Sequence, residues 1–292
     1  MTGVQASGLV VVDKPAGITS HDVVARVRRL AGTRKVGHAG TLDPMATGVL
    51  VVGINRATRL LGHLLLTDKA YDATIRLGAS TTTDDAEGEV LAASDTSAVT
   101  DDEIRAGLAA MVGEIDQVPS AVSAIKIDGK RAYERVRAGE RVEIAPRRVR
   151  IASITVSRIE RDADGIAVDV SVSCSSGTYI RSIARDLGTG LGVGGHLSAL
   201  RRTAVGPFAL DQARTLDQLA DEFALIDIAA AARTSFPAYE LDDVQSALVR
   251  VGRKLPLDLP ADGPVAVFTP DNEFLALYER GGELARPIAV FV

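Results

Sequence analysis

A glycine-rich segment at residues 37–48, Gly-His-Ala-Gly-Thr-Leu-Asp-Pro-Met-Ala-Thr-Gly, constrains this chain more than any other stretch. It lies between a basic helical pattern and the apolar run at 49–52. Glycine permits positive φ and a close approach of the backbone to a ligand, and Pro44 fixes φ immediately after Asp43. We therefore expect a loop that holds the Asp43 side chain in a defined position. The alternative interpretation is an ordinary turn with a surface aspartate.

Composition limits the function classes. The 292 residues include 46% hydrophobic and 24% charged side chains, as in a globular protein with one large domain and one small domain. The single cysteine excludes an intramolecular disulfide and a multi-cysteine zinc site, and the four histidines lack metal-binding spacing. The N-terminal residues lack a signal-peptide pattern, and the apolar runs at 49–54 and 60–66 are too short to cross a bilayer. We expect a monomeric, cytoplasmic protein without a metal.

The net charge of −5 hides an uneven distribution. Residues 210–292 carry 7 basic and 14 acidic side chains, whereas residues 1–209 carry 26 and 24. Residues 126–150 carry 9 basic and 4 acidic side chains, and a second basic cluster lies at 26–35. A polyanion responds to local charge rather than to the sum. Each cluster alone is also typical of a solvated surface, but together with a positioned acid they indicate phosphate contacts.

Strand and helix patterns are interleaved without regular βαβ alternation, which predicts an α+β fold with a mixed, largely antiparallel sheet. The expected strands are at 8–12, 48–54, 69–77, 121–127, 150–160 and 165–174, and 196–205 is either a further strand or a helix-to-strand passage. The expected helices are at 21–31 with Ser20 as its cap, 55–66, about 100–112, 131–138 and about 178–187. We predict a main domain at 1–210, a linking helix within 211–228 and a small β-rich domain at 229–292.

Two common cofactor motifs are excluded. The glycines at 190–195 have the letters of a dinucleotide-binding fingerprint, but they follow a helical pattern rather than a strand. The segment 40–48 lacks the Gly-Lys-Ser/Thr ending of a phosphate-binding loop. We therefore expect no cofactor.

Four segments resemble those of the TruB family of tRNA pseudouridine synthases. They are Lys-Pro-Ala-Gly-Ile-Thr-Ser at 14–20, the loop at 37–48, Lys-Ala-Tyr at 69–71 and Cys-Ser-Ser-Gly-Thr-Tyr-Ile-Arg at 174–181. They follow the family's order and spacing from about residue 8 to 210. The resemblance implies a pseudouridine-synthase fold with a PUA-like C-terminal domain. It also implies isomerisation of the uridine at position 55 in the T-loop, within the T-arm of tRNA.

The resemblance also implies roles for individual residues. Asp43 matches the catalytic aspartate, Tyr71 the tyrosine that stacks on the target base, and Arg181 the arginine that pairs with the aspartate. The remaining matches are residues that line the pocket or contact RNA: Tyr179, Leu200, His38 and Lys14. The segment 126–150, with Arg131, Arg147 and Arg148, lies where the family carries the segment that closes over the RNA.

The residue types suit this reaction. Isomerisation breaks the N1–C1′ bond of uridine and rejoins the base through C5, without a change of oxidation state. An ionised Asp43 can attack C6 or C1′, or remove the proton at C2′, and the sequence does not choose among these. The competing hypothesis is a tRNA-binding or RNA-folding module that acts without catalysis. A third, an aspartate-nucleophile hydrolase, lacks the second aspartate that such enzymes place two residues after the first.

Overall fold

The computed structural model describes residues 6–120, 126–127, 130–131 and 144–292. Its strands are β1 Gly8–Lys14, β2 Val36–Ala39, β3 Thr47–Ile54, β4 Lys69–Leu77, β5 Ala79–Thr81, β6 Val90–Ala93, β7 Gly113–Gln117, β8 Lys126–Ile127, β9 Lys130–Arg131, β10 Arg147–Asp162, β11 Gly165–Cys174, β12 Gly195–Val205, β13 Phe208–Ala209, β14 Ile226–Asp227, β15 Ala238–Glu240, β16 Val265–Phe268, β17 Phe274–Glu279 and β18 Arg286–Val290. Its α-helices are α1 Ser20–Ala31, α2 Leu61–Leu64, α3 Asp101–Ala109, α4 Ile180–Gly190, α5 Leu216–Asp221, α6 Ile228–Ser235 and α7 Asp243–Arg250. None of these helices is long and apolar enough to span a bilayer.

The chain divides into two compact units, each built from separate segments of the sequence. The first unit comprises Met1–Pro44, Gly48–Leu66 and Val205–Val292, and the second comprises Met45–Thr47 and Thr67–Ala204. The segment that contains Asp43 and the acidic C-terminal sheet therefore belong to the same unit. The sequence-based boundaries at 210 and 228 stay a prediction.

In the first unit, β3 pairs antiparallel with β1 and with β2. Both faces of β1 and β3 are covered, which explains why their sequences are continuous apolar runs rather than alternating ones. One face packs against α1 and α5, in a cluster that includes Val10, Val52, Val23, Val27 and Leu219. The opposite face packs against α2, α6 and the C-terminal sheet, in a cluster that includes Leu9, Val51, Leu61, Ala231 and Phe268.

The C-terminal residues form the small β-rich element that the sequence predicts. Its strand order is β15-β16-β17-β18, with β15 parallel to β16 and the other pairs antiparallel. Leu241, Val249, Leu275 and Tyr278 belong to a buried cluster of its own. The sheet therefore has its own core while belonging to the first unit.

In the second unit the strand order is β12-β4-β11-β10-β7. β4 has the predicted bounds, and its burial alternates along most of its length as expected for a half-buried strand. β10 and β11 form the predicted hairpin, with Asp162 opposite Gly165 at its turn. These strands and α4 carry Tyr71, Arg181 and the neighbouring side chains of interest.

Two helix predictions need correction in the first unit. The N-cap of α1 is Thr19, which forms a capping box with Asp22, because the Ser20 hydroxyl is engaged elsewhere. The expected helix at 55–66 is instead a 3-10 turn at Asn55–Arg59 followed by α2. Asn55 has φ 54°, and its side-chain amide donates to the Ala6 carbonyl at 2.8 Å.

The predictions at 121–138 fall largely outside the described residues. β8 contains the end of the strand expected at 121–127 and pairs with β9. Arg131 belongs to β9 rather than to the start of the helix expected at 131–138. The rest of that helix lies outside the described residues.

Candidate active site

The residues on both sides of Asp43 are held by hydrogen bonds. Ser20 is 1% exposed, and its hydroxyl accepts a hydrogen bond from the Leu42 amide at 2.9 Å and donates to the Leu42 carbonyl at 3.1 Å. The Pro44 carbonyl accepts from the Gly17 amide at 2.9 Å. Asp43 itself is half-buried. The backbone that carries this carboxylate is therefore fixed before and after it.

The segment at 14–20 supplies these contacts. Lys14, fully buried at the end of β1, donates from Nζ to the carbonyls of Pro15 at 2.9 Å and Pro44 at 3.1 Å. Gly17 has φ 82°, a conformation that favours glycine. Hydrogen bonds thus hold the segments 14–20 and 37–48, which are separate in sequence, against each other. Lys14, expected near the reacting site, binds the residue that follows Asp43.

His38 lies on β2, which leads into the loop. It is half-exposed, and its ring makes an edge contact with His21, with centroids 5.7 Å apart and an interplanar angle of 84°. His21 is exposed in the first turn of α1. The contact between the two rings therefore connects β2 to the helix whose Ser20 side chain binds Leu42.

In the second unit, Tyr71 is on the buried face of β4 and is 8% exposed. Lys69 lies two residues earlier on the same face, opposite Cys174 of β11. Burial, with a smaller contribution from the Arg202 charge, lowers the pKa of Lys69 to about 8. Burial raises the pKa of the Cys174 thiol to about 11, so the thiol remains protonated near neutral pH. Tyr71 therefore shares its face of β4 with a lysine whose pKa is well below its ordinary value.

Arg181 lies in the first turn of α4 and is 5% exposed. Its Nη1 donates to the Thr83 carbonyl at 2.8 Å and lies 3.5 Å from Oδ2 of Asp85. Asp85 is itself only 3% exposed. The site residues predicted from the sequence do not include Asp85. The pairing of Arg181 with Asp43, which the family resemblance implies, stays a prediction.

Asp85 is held by its own loop as well as by Arg181. Its Oδ1 accepts from the Thr83 hydroxyl at 2.5 Å and from the Glu87 amide at 3.1 Å. Its carbonyl accepts from the Thr81 hydroxyl at 2.7 Å. Hydroxyl side chains two and four residues before an aspartate are typical of turns that bond internally, and that spacing is the signal in the sequence.

Tyr179 and Leu200 are the remaining pocket residues implied by the resemblance. Tyr179 is the N-cap residue of α4 and is half-exposed. Its amide donates to Oε1 of Gln117 at 2.8 Å, and its carbonyl accepts from Nε2 of the same side chain at 3.1 Å. Leu200 is buried on β12. Gln117, which sequence analysis missed, fixes the backbone of Tyr179 as Ser20 fixes that of Leu42.

The basic segment at 126–150 is only partly described. Arg147 and Arg148 begin β10 and are exposed. Arg148 is ion-paired with Glu114 at 3.0 Å and Asp116 at 3.5 Å, both on β7. Exposed pairs of this kind contribute little stability, so the Arg148 guanidinium is available to exchange partners. Arg131 lies in β9, and most of the expected RNA-closing arm lies outside the described residues.

Within the described ranges, no three His, Cys, Asp or Glu side chains come together as a metal site requires.

Comparison with known sequences decides the family. The model described as TruB family pseudouridylate synthase (N terminal domain) matches residues 28–180. Two C-terminal models, tRNA pseudouridylate synthase B C-terminal domain and tRNA Pseudouridine synthase II, C terminal, match residues 181–249 and 236–292. The chain belongs to the TruB family of pseudouridylate synthases. The resemblance drawn from four short segments is thereby confirmed.

Individual relatives agree along nearly the whole length. A protein named tRNA pseudouridine synthase B from Arthrobacter sp. (strain FB24) is 57% identical over 98% of this chain and 96% of its own. One of the same name from Thermobifida fusca (strain YX) is 56% identical over 98% and 99%. The solved structure titled "Crystal Structure of a Cbf5-Nop10-Gar1 Complex" contains a similar chain with a TM-score of 0.76 and 29% identity, covering 98% of this chain and 85% of that one. These matches confirm the predicted fold class.

Proposed function

We propose that this protein converts uridine to pseudouridine at position 55 in the T-loop of tRNA, with Asp43 as the reacting carboxylate. The observation that carries the proposal is the loop in which both neighbours of Asp43 are fixed by Lys14, Gly17 and Ser20. The relatives named tRNA pseudouridine synthase B support tRNA as the substrate. The T-loop position follows from the family resemblance.

A fixed carboxylate suits this reaction. Holding a reacting group in place before the substrate arrives removes the entropic cost of ordering it in the transition state. Asp43 is half-buried, so it remains reachable by a nucleotide while hydrogen bonds hold the backbone on both sides of it. It attacks C6 or C1′, or removes the C2′ proton, while the N1–C1′ bond breaks. The base then turns, a C5–C1′ bond forms, and the C5 hydrogen leaves as a proton while N1 gains one.

The target base must leave the RNA stack before it reacts. Extrusion costs a few kcal/mol, and stacking on an aromatic ring offsets about 1–3 kcal/mol of that. In our proposal Tyr71 provides this ring and Leu200 an apolar wall of the pocket. Arg181 keeps the reacting carboxylate ionised and oriented. Tyr179 completes the pocket, and His38 contacts the T-loop.

Release of tritium from tRNA labelled at uridine C5 tests the proposal. We expect the wild-type protein to release tritium in an amount equal to one uridine per tRNA. Asp43→Asn should release none and should bind tRNA with a nearly unchanged Kd, because the substitution removes reactivity with little change of shape. Asp102→Asn is the matched control, since Asp102 is an exposed aspartate on α3.

Two outcomes would contradict the proposal in different ways. Undiminished release by Asp43→Asn would remove Asp43 from the chemistry. Tight binding of tRNA without release by the wild-type protein would favour the non-catalytic binding module. A transcript with cytidine at position 55 tests the position, because pseudouridine formed elsewhere in it would contradict the T-loop assignment.

A further inference from the structure

A group of exposed cations covers the C-terminal end of α1 and the connection to β2. We call Arg26, Arg28, Arg29, Arg34 and Lys35 the α1 basic face, and all five are exposed. The only acidic residue between positions 20 and 36 is Asp22, at the opposite end of the helix. Five positive charges therefore lie within ten residues of a chain whose net charge is −5.

This face differs from most other arginine-rich parts of the surface because its described side chains form no close ion pairs with carboxylates. Within the described ranges, none of the five is in an ion pair, and Arg28 donates instead to the Val36 carbonyl at 3.1 Å. Exposed arginines elsewhere do pair with carboxylates: Arg148, Arg158, Arg161, Arg233, Arg250, Arg280 and Arg286. The helix dipole accounts for Arg28 and Arg29, which lie in the last turn of α1. Arg26 lies one helical turn after Asp22, whose charge it attracts. Neither the dipole nor Asp22 accounts for Arg34 and Lys35.

The backbone beneath these cations is fixed. Gly32 ends α1 with φ 62°, and the Thr33 hydroxyl donates to Oδ1 of Asn55 at 2.9 Å. The Lys35 carbonyl accepts from the Asn55 amide at 2.8 Å, and Val36 then begins the pairing with β3. Arg34 and Lys35 therefore project from a fixed turn. A preorganised cationic surface loses little entropy when it binds an anion.

The same helix connects this surface to the reacting loop. Ser20, at the first turn of α1, holds Leu42 next to Asp43, whereas the basic face begins at Arg26 and extends beyond Ala31. At 1.5 Å per residue, the helix spans roughly 17 Å. A polyanion with one nucleotide at Asp43 can place phosphates several nucleotides away over this face.

We propose that the α1 basic face binds backbone phosphates of the RNA whose uridine reacts at Asp43, as a sequence-independent contact outside the reaction site. This inference rests on the proposed function, because it takes RNA as the substrate. Contacts of this kind set the register and the salt dependence of binding rather than sequence specificity.

The first test is the salt dependence of tRNA binding by the full chain. The triple variant Arg29→Gln, Arg34→Gln, Lys35→Gln removes three charges from the face. Each lost phosphate contact makes the negative slope of log K against log salt less steep by about 0.7–0.9. We therefore expect the magnitude of the slope to fall by about 2. The Kd at low salt should rise at least roughly tenfold. The single-turnover rate at saturating tRNA should be unchanged, since no reacting group is altered.

A control variant removes the same charge elsewhere: Arg105→Gln, Arg158→Gln, Arg286→Gln, three exposed sites. It should keep the wild-type Kd and slope. A wild-type slope in the α1 variant, or an equal loss in the control variant, would overturn the inference. If the wild-type protein formed no pseudouridine while the α1 variant still lost tRNA binding, the proposed function would fail and the contact would stand.

A tethered probe locates the contact on the RNA. The chain has one cysteine, and Cys174 is buried, so Arg34→Cys introduces an accessible thiol. An iron–EDTA group coupled there should cleave bound tRNA at one contiguous run of nucleotides, whereas the same probe at Arg105→Cys should not. Equal cleavage from both positions, or none from Arg34→Cys, would assign the face to solvent or to an acidic protein partner.

Discussion

The loops around Asp43 and Asp85 both fix an aspartate, but they fix it by different means. In the Asp43 loop the hydrogen bonds reach the backbone of Leu42 and Pro44, and the carboxylate between them is half-buried. In the Asp85 loop they reach the carboxylate itself, which is buried against Arg181. One loop holds a side chain in position while leaving it accessible, and the other encloses it.

This difference separates a reacting role from a positioning role. A carboxylate that must approach a substrate atom cannot use all its oxygen lone pairs within the protein. A buried carboxylate with an arginine and hydroxyl partners is held as a structural anion, and Asp85 fits that description. Asp85 thereby fixes the guanidinium of Arg181, to which our proposed function gives a role beside the reacting carboxylate.

The largest expected effect on stability comes from Asp85. Asp85→Asn removes a carboxylate that lies against the buried Arg181 guanidinium, and breaking a buried pair costs about 3–5 kcal/mol of unfolding free energy. Asp43→Asn should cost less than this, because that side chain is half-buried rather than enclosed. Urea denaturation of both variants measures the contrast. Equal stability losses would show that the two loops do not differ as described.

A smaller effect is expected at Ser20. Ser20→Ala removes the hydroxyl that serves both the amide and the carbonyl of Leu42, which costs about 1–3 kcal/mol for buried groups left unpaired. Because the backbone beside Asp43 is then released, we expect kcat to fall about tenfold or more while the Kd for tRNA stays nearly constant. Tritium release under single-turnover conditions measures this.

The matched control for Ser20 is its neighbour. Thr19→Ala removes the N-cap of the same helix, at a cost of about 1 kcal/mol, without touching Leu42. It should retain wild-type kcat. If Thr19→Ala lowers kcat as much as Ser20→Ala, general stability of α1 rather than the Leu42 contacts supports the loop.

These loops also show what the sequence could and could not predict. The Asp43 loop was predictable because its glycines, its proline and the segment at 14–20 are local patterns with a known conformational meaning. The bounds of β4 followed from its apolar pattern. Asp85, by contrast, lies in a polar segment that has the composition of a surface loop. Only long-range contacts, with Arg181 96 positions away in sequence, bury it.

Ser20 illustrates the same limit. Its type and position are those of a helix cap, yet it is Thr19 that caps α1, and Ser20 bonds to Leu42, 22 positions away. Gln117 was not predicted for the same reason, because its partner Tyr179 is 62 positions away. Sequence patterns indicate local geometry, whereas the contacts that position a functional residue are determined by which segments the fold brings together.

The smallest expected effect concerns Lys69 in the second unit. It is best understood by comparison with Lys14, a buried lysine of the first unit. Lys14 donates to two backbone carbonyls beside Asp43, whereas Lys69 lies close enough to the buried Arg202 for that charge to disfavour its protonated form. The pKa of Lys69 is about 8 in the folded chain, against an ordinary value of 10.5. Between these values the unfolded chain binds more protons, so the free energy of unfolding rises with pH.

We expect this rise to amount to about 1 kcal/mol between pH 7 and pH 9 in the wild-type protein, relative to Lys69→Met. Taking the difference between the two proteins cancels most other titrating groups. Cys174, with its raised pKa, begins to contribute with the opposite sign as the pH nears 9, but it does so in both proteins, so the difference between them cancels most of that contribution. Urea denaturation at both pH values measures it. A difference that stays constant from pH 7 to pH 9 would mean that Lys69 keeps its proton when folded, and that burial beside Arg202 is compensated by a nearby anion.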